Sequence, residues 1–342
     1  MTWGKQKSLL AILLVFGLAA LGRVFVPLPR PPVTVYGSQI VANAAMPSLA
    51  LGHPIPVTLY LPDKAAMASG QLPVIILLHG VNSQGMDWVT RGQIQTILDH
   101  LIAGRRMPPV IVAMPSTGTS WYVDSADIGG PGNYETAIGS ELPAWLSAHW
   151  NARSDREGKA IAGYSMGAFG ALHIAFGHPE NWASAGSLSG TFLTVVGNQA
   201  AIPALNHRLI AGAFGTPFDR DRLLKASPVT LARTLRPRER PAPAVFIGCG
   251  TRDQLHLTSE TNGMIDELHQ LGIPLATDII DGGHDWKTWK HLLPDALVFI
   301  GEHFDRKTRT ERTVAATLTG ASVDSPVGPG QAASTARPHV IP

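Results

Sequence analysis

One cysteine, Cys249, is all that this sequence has, which excludes an intrachain disulfide framework and any multi-cysteine metal site. Charge is also scarce: 15% of the 342 residues are Asp, Glu, Lys or Arg, and they leave a formal net charge of +2. No block of Lys and Arg alternates with aromatics, so the electrostatic footprint of a nucleic-acid binder is missing and nucleic acid is not an expected partner. Neither a His-Glu-x-x-His pair nor an acidic calcium loop occurs, and no metal or other cofactor is assigned. Internal repeats are lacking too, and no second domain boundary is visible. What the chain has in quantity is apolar material, 45% of its residues, enough for one large core.

The two ends read differently from the middle. Lys5 and Lys7 precede an apolar run from Leu9 to Gly22, followed by Arg23, which is the layout of a secretory signal. A spanning helix needs about 20 apolar residues, and Arg23 interrupts this one early. Val24, Phe25 and Val26 would extend it into an uncleaved anchor, whereas Ala20-Leu21-Gly22 offers a small-x-small cleavage site. Residues 1–30 are therefore read as a signal peptide or N-terminal anchor, which places the protein outside the cell or at the cell envelope, with membrane association through this segment. The other reading, a buried first helix of a cytosolic protein, conflicts with the Pro-rich stretch from Pro27 to Pro32. Residues 31–305 are read as one catalytic domain. Residues 306–342 are basic, then rich in Thr, Ala, Ser, Gly and Pro without apolar periodicity, and are read as a disordered tail.

In the middle, short β-branched runs alternate with helical patterns, the signature of strands joined by crossover helices into a mostly parallel sheet covered on both faces. Val33 to Val41 and Ile55 to Leu61 read as an opening antiparallel pair. Pro73 to His79, Val110 to Met114, Lys159 to Gly163, Ala183 to Ser189, Ala244 to Gly248 and Leu275 to Ile280 read as further strands, and their continuous apolar runs predict burial on both sides. Helical patterns span Asn133 to His149, Met166 to Phe176 and Thr258 to Leu271, the last closed by Gly272 with Pro274 beyond. Residues 191–241 form a long insertion between two strands and are read as a helical cap or lid.

Gly163-Tyr164-Ser165-Met166-Gly167 stands where a strand ends and a helix begins, the context that gives G-x-S-x-G its meaning. A serine hydroxyl is protonated near neutral pH and needs a base within reach. Of the 13 histidines, His284 alone follows the last strand in a Gly-loosened turn, Asp281-Gly282-Gly283-His284. His173, His178 and His269 lie on or beside helices and read as structural. A carboxylate must orient the imidazole, and Asp253, just past the Ala244 to Gly248 strand, completes the chain order Ser, Asp, His expected of α/β-hydrolases. Asp281 and Asp285 are rivals, disfavoured because they lie so near His284 in sequence. Backbone N–H groups must face the oxyanion of the tetrahedral intermediate. Met166 follows the nucleophile, and Val81 follows Leu77-Leu78-His79-Gly80, where glycine permits close backbone approach. Cys249, with no basic neighbour in sequence, reads as a small buried hydrophobe.

With these residues in place the chain resembles the esterase D superfamily, which includes bacterial exported esterases, feruloyl esterases, S-formylglutathione hydrolases and the mycobacterial mycolyltransferase antigens. The resemblance spans about Val33 to Phe304. It is carried by Leu77 to Gly80, Met114-Pro115 with Ser120-Trp121-Tyr122, Glu141 to Leu146, Gly163 to Gly167, Ala185 to Gly190, and His284-Asp285-Trp286 with Trp289. The last group is similar to a His-x-Trp-x-x-Trp of that family. The resemblance implies an α/β-hydrolase fold, ester chemistry on a small-molecule or lipid ester through an acyl-Ser165 intermediate, and Val81 and Met166 as oxyanion donors. Hydrolysis, transfer of the acyl group to a sugar or alcohol, and a non-catalytic secreted binding protein are the outcomes it leaves open. The mycolyltransferases have an aspartate where His79 stands, so their sugar acceptor does not carry over. His79, Gly80, Trp121, Tyr122, Trp286 and Trp289 are expected to line the substrate site, the four aromatics as a wall beside the acyl or acceptor group.

Overall fold

The computed structural model describes residues 37–192, 210, 212–237 and 242–304. The N-terminal segment 1–30, the tail 306–342 and part of the expected cap lie outside the described residues.

Eight strands form a single sheet in the order β1-β2-β4-β3-β5-β6-β7-β8: β1 Gln39–Met46, β2 Ile55–Leu61, β3 Val74–Leu78, β4 Ile111–Pro115, β5 Lys159–Tyr164, β6 Ser184–Leu188, β7 Ala244–Gly250 and β8 Leu275–Ile280. β1 and β2 pair antiparallel with each other, and β2 pairs antiparallel with β4. The six strands from β3 to β8 run parallel. This is the α/β-hydrolase architecture. Of the first strand expected over Val33 to Val41, residues 33–36 lie outside the described residues, and the described strand runs past Val41 to Met46, with Asn43, at φ 52°, taking up an extra residue between Val41 and Ala44. The bulge lets pairing resume as far as Met46 opposite Ile55.

The apolar runs of β3, β4 and β5 feed two cores on opposite faces of the sheet. Val74, Ile76 and Leu78 pack on one side with the helices Leu142–Trp150, Met166–Gly177 and Leu257–Leu271. Ile75 and Leu77 pack on the other with Ile94–Ala103 and Trp286–His303. Burial on both faces is what a strand without polar alternation requires. The Met166–Gly177 helix is buried along nearly its whole length, and accordingly shows no polar stripe.

The helix read over Asn133 to His149 runs without a break from Tyr134 to Trp150, its α segments Tyr134–Thr136 and Leu142–Trp150 joined by a π turn over Ala137–Glu141. Pro143 has no N–H to continue an α ladder, and a wider turn before it absorbs the mismatch. The Glu141 side chain at this junction accepts from Leu49 N at 3.1 Å and Ala50 N at 3.0 Å, tying the β1–β2 turn to the helix. Of the expected cap 191–241, the described part packs on the core: Phe214, Leu223, Val229 and Ala232 are buried, and Pro228–Ala232 lies on the Met166–Gly177 helix, while residues 193–209, 211 and 238–241 lie outside the described residues.

A carboxylate fastens these layers. Glu135 lies 2.9 Å from His173 Nε2 and 3.1 Å from His178 Nε2, and His173 Nδ1 donates to the Ala226 carbonyl at 2.8 Å. Burial would raise the Glu135 carboxyl, but the histidine hydrogen bonds outweigh it and hold the group far below the usual carboxylate range. The same carboxylate raises His178 above its ordinary value. A depressed carboxyl stabilises the fold above its unfolded pKa of about 4.3, and a raised histidine stabilises it below about 6.5, losing that share as pH climbs further. Glu135→Gln should therefore lower the melting temperature more at pH 5.5 than at pH 8.5, as thermal melts at the two values would show. An equal loss at both would mean that the cluster acts by packing alone.

Candidate active site

The backbone at Ser165 is the first unusual feature. Its φ of 56° and ψ of −121° lie where a residue with a side chain costs about 1–3 kcal/mol. The turn joins the end of β5 directly to the Met166–Gly177 helix and leaves the Ser165 hydroxyl clear of both. The flanking glycines make this turn sterically feasible. A Cβ on Gly167 would lie 2.2 Å from the Leu78 carbonyl oxygen, and one on Gly163 would lie 2.3 Å from the Gly167 carbonyl oxygen. The Ser165 N–H is held by the Leu188 carbonyl at 2.9 Å.

Asp253 and His284 come from the loops that follow β7 and β8, and those loops are zipped together. Thr251 N donates to Ile280 O and Arg252 N to Gly282 O, both at 2.8 Å. A Cβ on Gly250 would lie 2.2 Å from the Gly282 oxygen, so only glycine permits that approach. The side chain of Gln254 accepts from His284 N at 2.8 Å. His284 Nδ1 lies 2.8 Å from Asp253 Oδ2, and His284 Nε2 lies 3.0 Å from Ser165 Oγ. The carboxylate accepts from Nδ1–H, which leaves the Nε2 lone pair facing the serine hydroxyl.

The Asp253 carboxylate is buried. Desolvation pushes its pKa up, but the hydrogen bond and charge of His284, with the N–H groups of Leu255 and Leu257, prevail and hold it below the usual carboxylate range. Its rivals are engaged elsewhere. Asp281 pairs with Arg252 at 2.7 Å on the surface, and Asp285 caps the Trp286–His303 helix by accepting from Thr288 N at 2.9 Å.

Around the nucleophile, Met166 is the first residue of its helix, so its N–H has no carbonyl one turn earlier in the helix to bind. Gly80 brings the loop after β3 against the same spot: a Cβ there would lie 3.2 Å from Ser165 Cβ and 2.7 Å from the Tyr164 ring. Val81 follows at once. All these groups stand at the carboxyl ends of β3, β5, β7 and β8, the edge at which open parallel sheets place their sites. A surface cavity of about 400 Å³ lined by Arg105, Met107 and Gly301 lies beside the start of β4, at the opposite edge.

Residues 48–300 match the Esterase family model, described as "Putative esterase". The chain belongs to the Esterase family. Over 254 residues it is 29% identical to esterase Rv1288 of Mycobacterium tuberculosis, a match covering 69% of this chain and 53% of that protein. The chain thus spans about half the length of that curated relative. It is 24% identical over 246 residues to an acetyl esterase of Caldicellulosiruptor saccharolyticus, covering 69% of this chain and 86% of that one. The solved structure of a ferulic acid esterase superposes with a TM-score of 0.66 at 24% identity, over 79% of this chain and all of that one. MPT51 of M. tuberculosis superposes at 0.61 with 22% identity, over 77% of this chain and 98% of that one. The two structural likenesses show a shared fold.

In this Esterase-family chain the expected substrate-lining residues require correction. Gly80 does border Ser165. His79 does not face a substrate: it is fully buried, its Nδ1 donating to Gly80 O at 2.8 Å and its Nε2 accepting from Thr117 N at 3.0 Å. Burial lowers its pKa against the pull of the Gly80 carbonyl and Asp87, so the ring stays neutral and ties the loops after β3 and β4 together. Tyr122 is also fully buried and donates to the His79 carbonyl at 2.9 Å. Trp121 packs edge-on against Phe169. Both take left-handed backbone, at φ 54° and 59°, which turns their rings inward.

Trp286 and Trp289 are buried and packed against side chains. The Trp289 ring stacks on Tyr164 at 4.3 Å, meets His284 edge-on at 5.1 Å, and donates through Nε1 to Ser189 Oγ at 3.2 Å. Trp286 packs against Trp88 and Tyr164. Trp289 braces the imidazole, and Trp286 backs Trp289 edge-on at 5.4 Å. Cys249 is buried with its thiol pushed up in pKa by desolvation. The supporting roles of Gln254, Ser189, Ser83, Asp87 and Tyr164 were not assigned from the sequence, although Tyr164 and Ser189 stand within the Gly163 to Gly167 and Ala185 to Gly190 motifs and Gln254 adjoins Asp253. Among the described residues no group of three or more His, Cys, Asp or Glu could hold a metal ion, and no helix is long and apolar enough to cross a membrane.

Proposed function

We propose that this chain is a serine carboxylesterase acting through an acyl-Ser165 intermediate. The observation that carries the reading is the continuous hydrogen-bonded chain from Ser165 Oγ through His284 to Asp253, mounted on a strained turn that exposes the hydroxyl. Ser165 Oγ attacks the ester carbonyl while its proton passes to His284 Nε2, and Asp253 stabilises the imidazolium so formed. The N–H groups of Val81 and Met166 receive the oxyanion, a contribution worth about 10²–10³-fold in rate per donor. Collapse breaks the ester C–O bond, and the alcohol leaves with the proton from His284. Water, deprotonated by the same nitrogen, then attacks the acyl carbon, and the acid departs as Ser165 regains its proton.

Family membership supports ester chemistry, and relatives named acetyl esterase and ferulic acid esterase are consistent with water as acceptor. Export belongs to the same proposal, resting on Lys5, Lys7 and the apolar run to Gly22, with an ester small molecule or lipid as the partner met there. A fluorophosphonate probe should add to the Ser165 peptide, detected by mass spectrometry. Trehalose or glycerol added to a series of p-nitrophenyl acyl esters should leave free acid as the product. A folded chain that takes no label points to a binding protein, and acylated trehalose or glycerol points to a transferase.

A further inference from the structure

The loop that brings Val81 to the site is held by a chain of side chains that the reaction itself does not use. Tyr164, the residue before Ser165, is 3% exposed, and its hydroxyl lies 2.6 Å from Ser83 Oγ. Ser83 in turn donates to Asp87 Oδ2, which also accepts from Gln84 N at 3.3 Å. Because the single Ser83 proton goes to the carboxylate, Tyr164 must be the donor to Ser83. Desolvation pushes the Tyr164 phenol up in pKa, so it keeps the proton this role requires. Its ring edge touches Gly80, and its face is clamped by Trp289, with Trp286 and Trp88 edge-on.

The loop is pinned at its other end as well. A Cβ on Gly85 would lie 2.0 Å from the Met114 carbonyl oxygen, and Gly85 N donates to Ser116 Oγ at 3.0 Å. Between the two glycines the backbone must position the Val81 N–H, with Asn82 in a left-handed conformation at φ 55° just after it. Ser83 is the side-chain tie that follows Val81, as the His79 bond to the Gly80 carbonyl is the one that precedes it. The anchor of Ser83, Tyr164, is covalently joined to the nucleophile.

We infer that Tyr164, Ser83 and Asp87 are positioning residues that lock the Val81 N–H in register with Ser165 and the Met166 N–H, so that both oxyanion donors share one rigid reference, the end of β5. The inference rests on the acyl-serine reading above and adds how its oxyanion site is held. A rigid ring whose hydroxyl reaches across to the loop can transmit the position of the strand end, whereas a hydrophobic contact alone would let the loop slide.

Tyr164→Phe removes the hydroxyl and keeps the packed ring, and Ser83→Ala removes the other end of the same bond. Each should lower kcat on p-nitrophenyl acetate by about ten- to a hundredfold, the range for a misplacement of up to about 1 Å at a reacting centre, with KM changed by less than about twofold. A trifluoromethyl ketone inhibitor, whose hemiketal oxygen must occupy the same donors, should weaken by the factor that kcat/KM falls. The double variant should be no worse than the poorer single one, because one chain has been cut twice. Wild-type kcat in either single variant, an unchanged inhibitor affinity, or additive losses in the double variant would overturn the inference. A wild-type chain that takes no fluorophosphonate label and is not inhibited by the ketone would instead overturn the acyl-serine reading, and this inference with it.

Discussion

Ser165→Ala is expected to lower turnover of a p-nitrophenyl acyl ester on the order of 10⁴-fold or more, about 5 kcal/mol of transition-state stabilisation. The hydroxyl is the only group on that residue within 3.0 Å of His284 Nε2, and alanine leaves the elbow otherwise intact. What persists should be the modest catalysis of bound substrate near the Val81 and Met166 N–H groups. A second substitution separates chemistry from folding. Glycine tolerates φ of 56°, so Ser165→Gly should abolish turnover equally while raising stability by about 1 kcal/mol. Activity assays beside thermal melts would reveal both effects, and turnover within tenfold of the parent in either variant would remove Ser165 from the mechanism. The strain relieved by glycine is then a measure of what the fold gives up to present the hydroxyl.

Asp253→Asn is expected to cost about 10⁴-fold in kcat, by analogy with the same exchange in an unrelated serine-protease triad. The reason is directional. Asp253 Oδ1 accepts from Leu255 N at 2.9 Å, and in asparagine that N–H would retain the amide oxygen and turn the NH₂ toward His284. His284 Nδ1 would then have to accept, its proton would move to Nε2, and the nitrogen facing Ser165 could no longer take a proton. Binding should suffer far less than turnover, so the loss belongs in kcat. In the parent, the carboxyl is held below its ordinary range; its stabilising share is present above about pH 4 and disappears only as acid protonates it. Near-parental kcat in the variant would mean that Asp253 does not select the tautomer.

Much of the fold could be read from residues because its central strands, β3 to β7, are buried on both faces. Val74-Ile75-Ile76-Leu77-Leu78 cannot be an edge strand or a surface helix, and β5 and β7 carry the same continuous burial. β1 was placed less well, since a half-exposed edge strand with a bulge at Asn43 lacks both the run and the alternation. The helix from Tyr134 to Trp150 was legible as one element, and only its π turn over Ala137–Glu141 went unread. The left-handed backbone of Trp121 and Tyr122 gave no local sign, because bulky residues adopt it only when the surroundings compel them.

The site divides along the same line. Ser165, Asp253 and His284 could be singled out as candidates because each follows a strand whose identity is written in short-range sequence, and the chemistry of hydroxyl, carboxylate and imidazole restricts which types can serve. His79, Trp286 and Trp289 had the right chemistry and the right neighbourhood, yet what each faces depends on side chains packed from distant segments. His79 turned to Thr117, and Trp289 to Tyr164 and Ser189.

The residue types at the strand ends, the glycines that let Ser165 stand on its turn, and the alternation of strands with helices were determined by the sequence alone, since backbone sterics and hydrophobic period act over a few residues. The 3.0 Å meeting of Ser165 with a histidine 119 positions later, the inward turn of the aromatics and the Tyr164–Ser83 tie were decided only in three dimensions. Those contacts are set by the order of strands in the sheet and by close packing, and neither has a local signature in the chain.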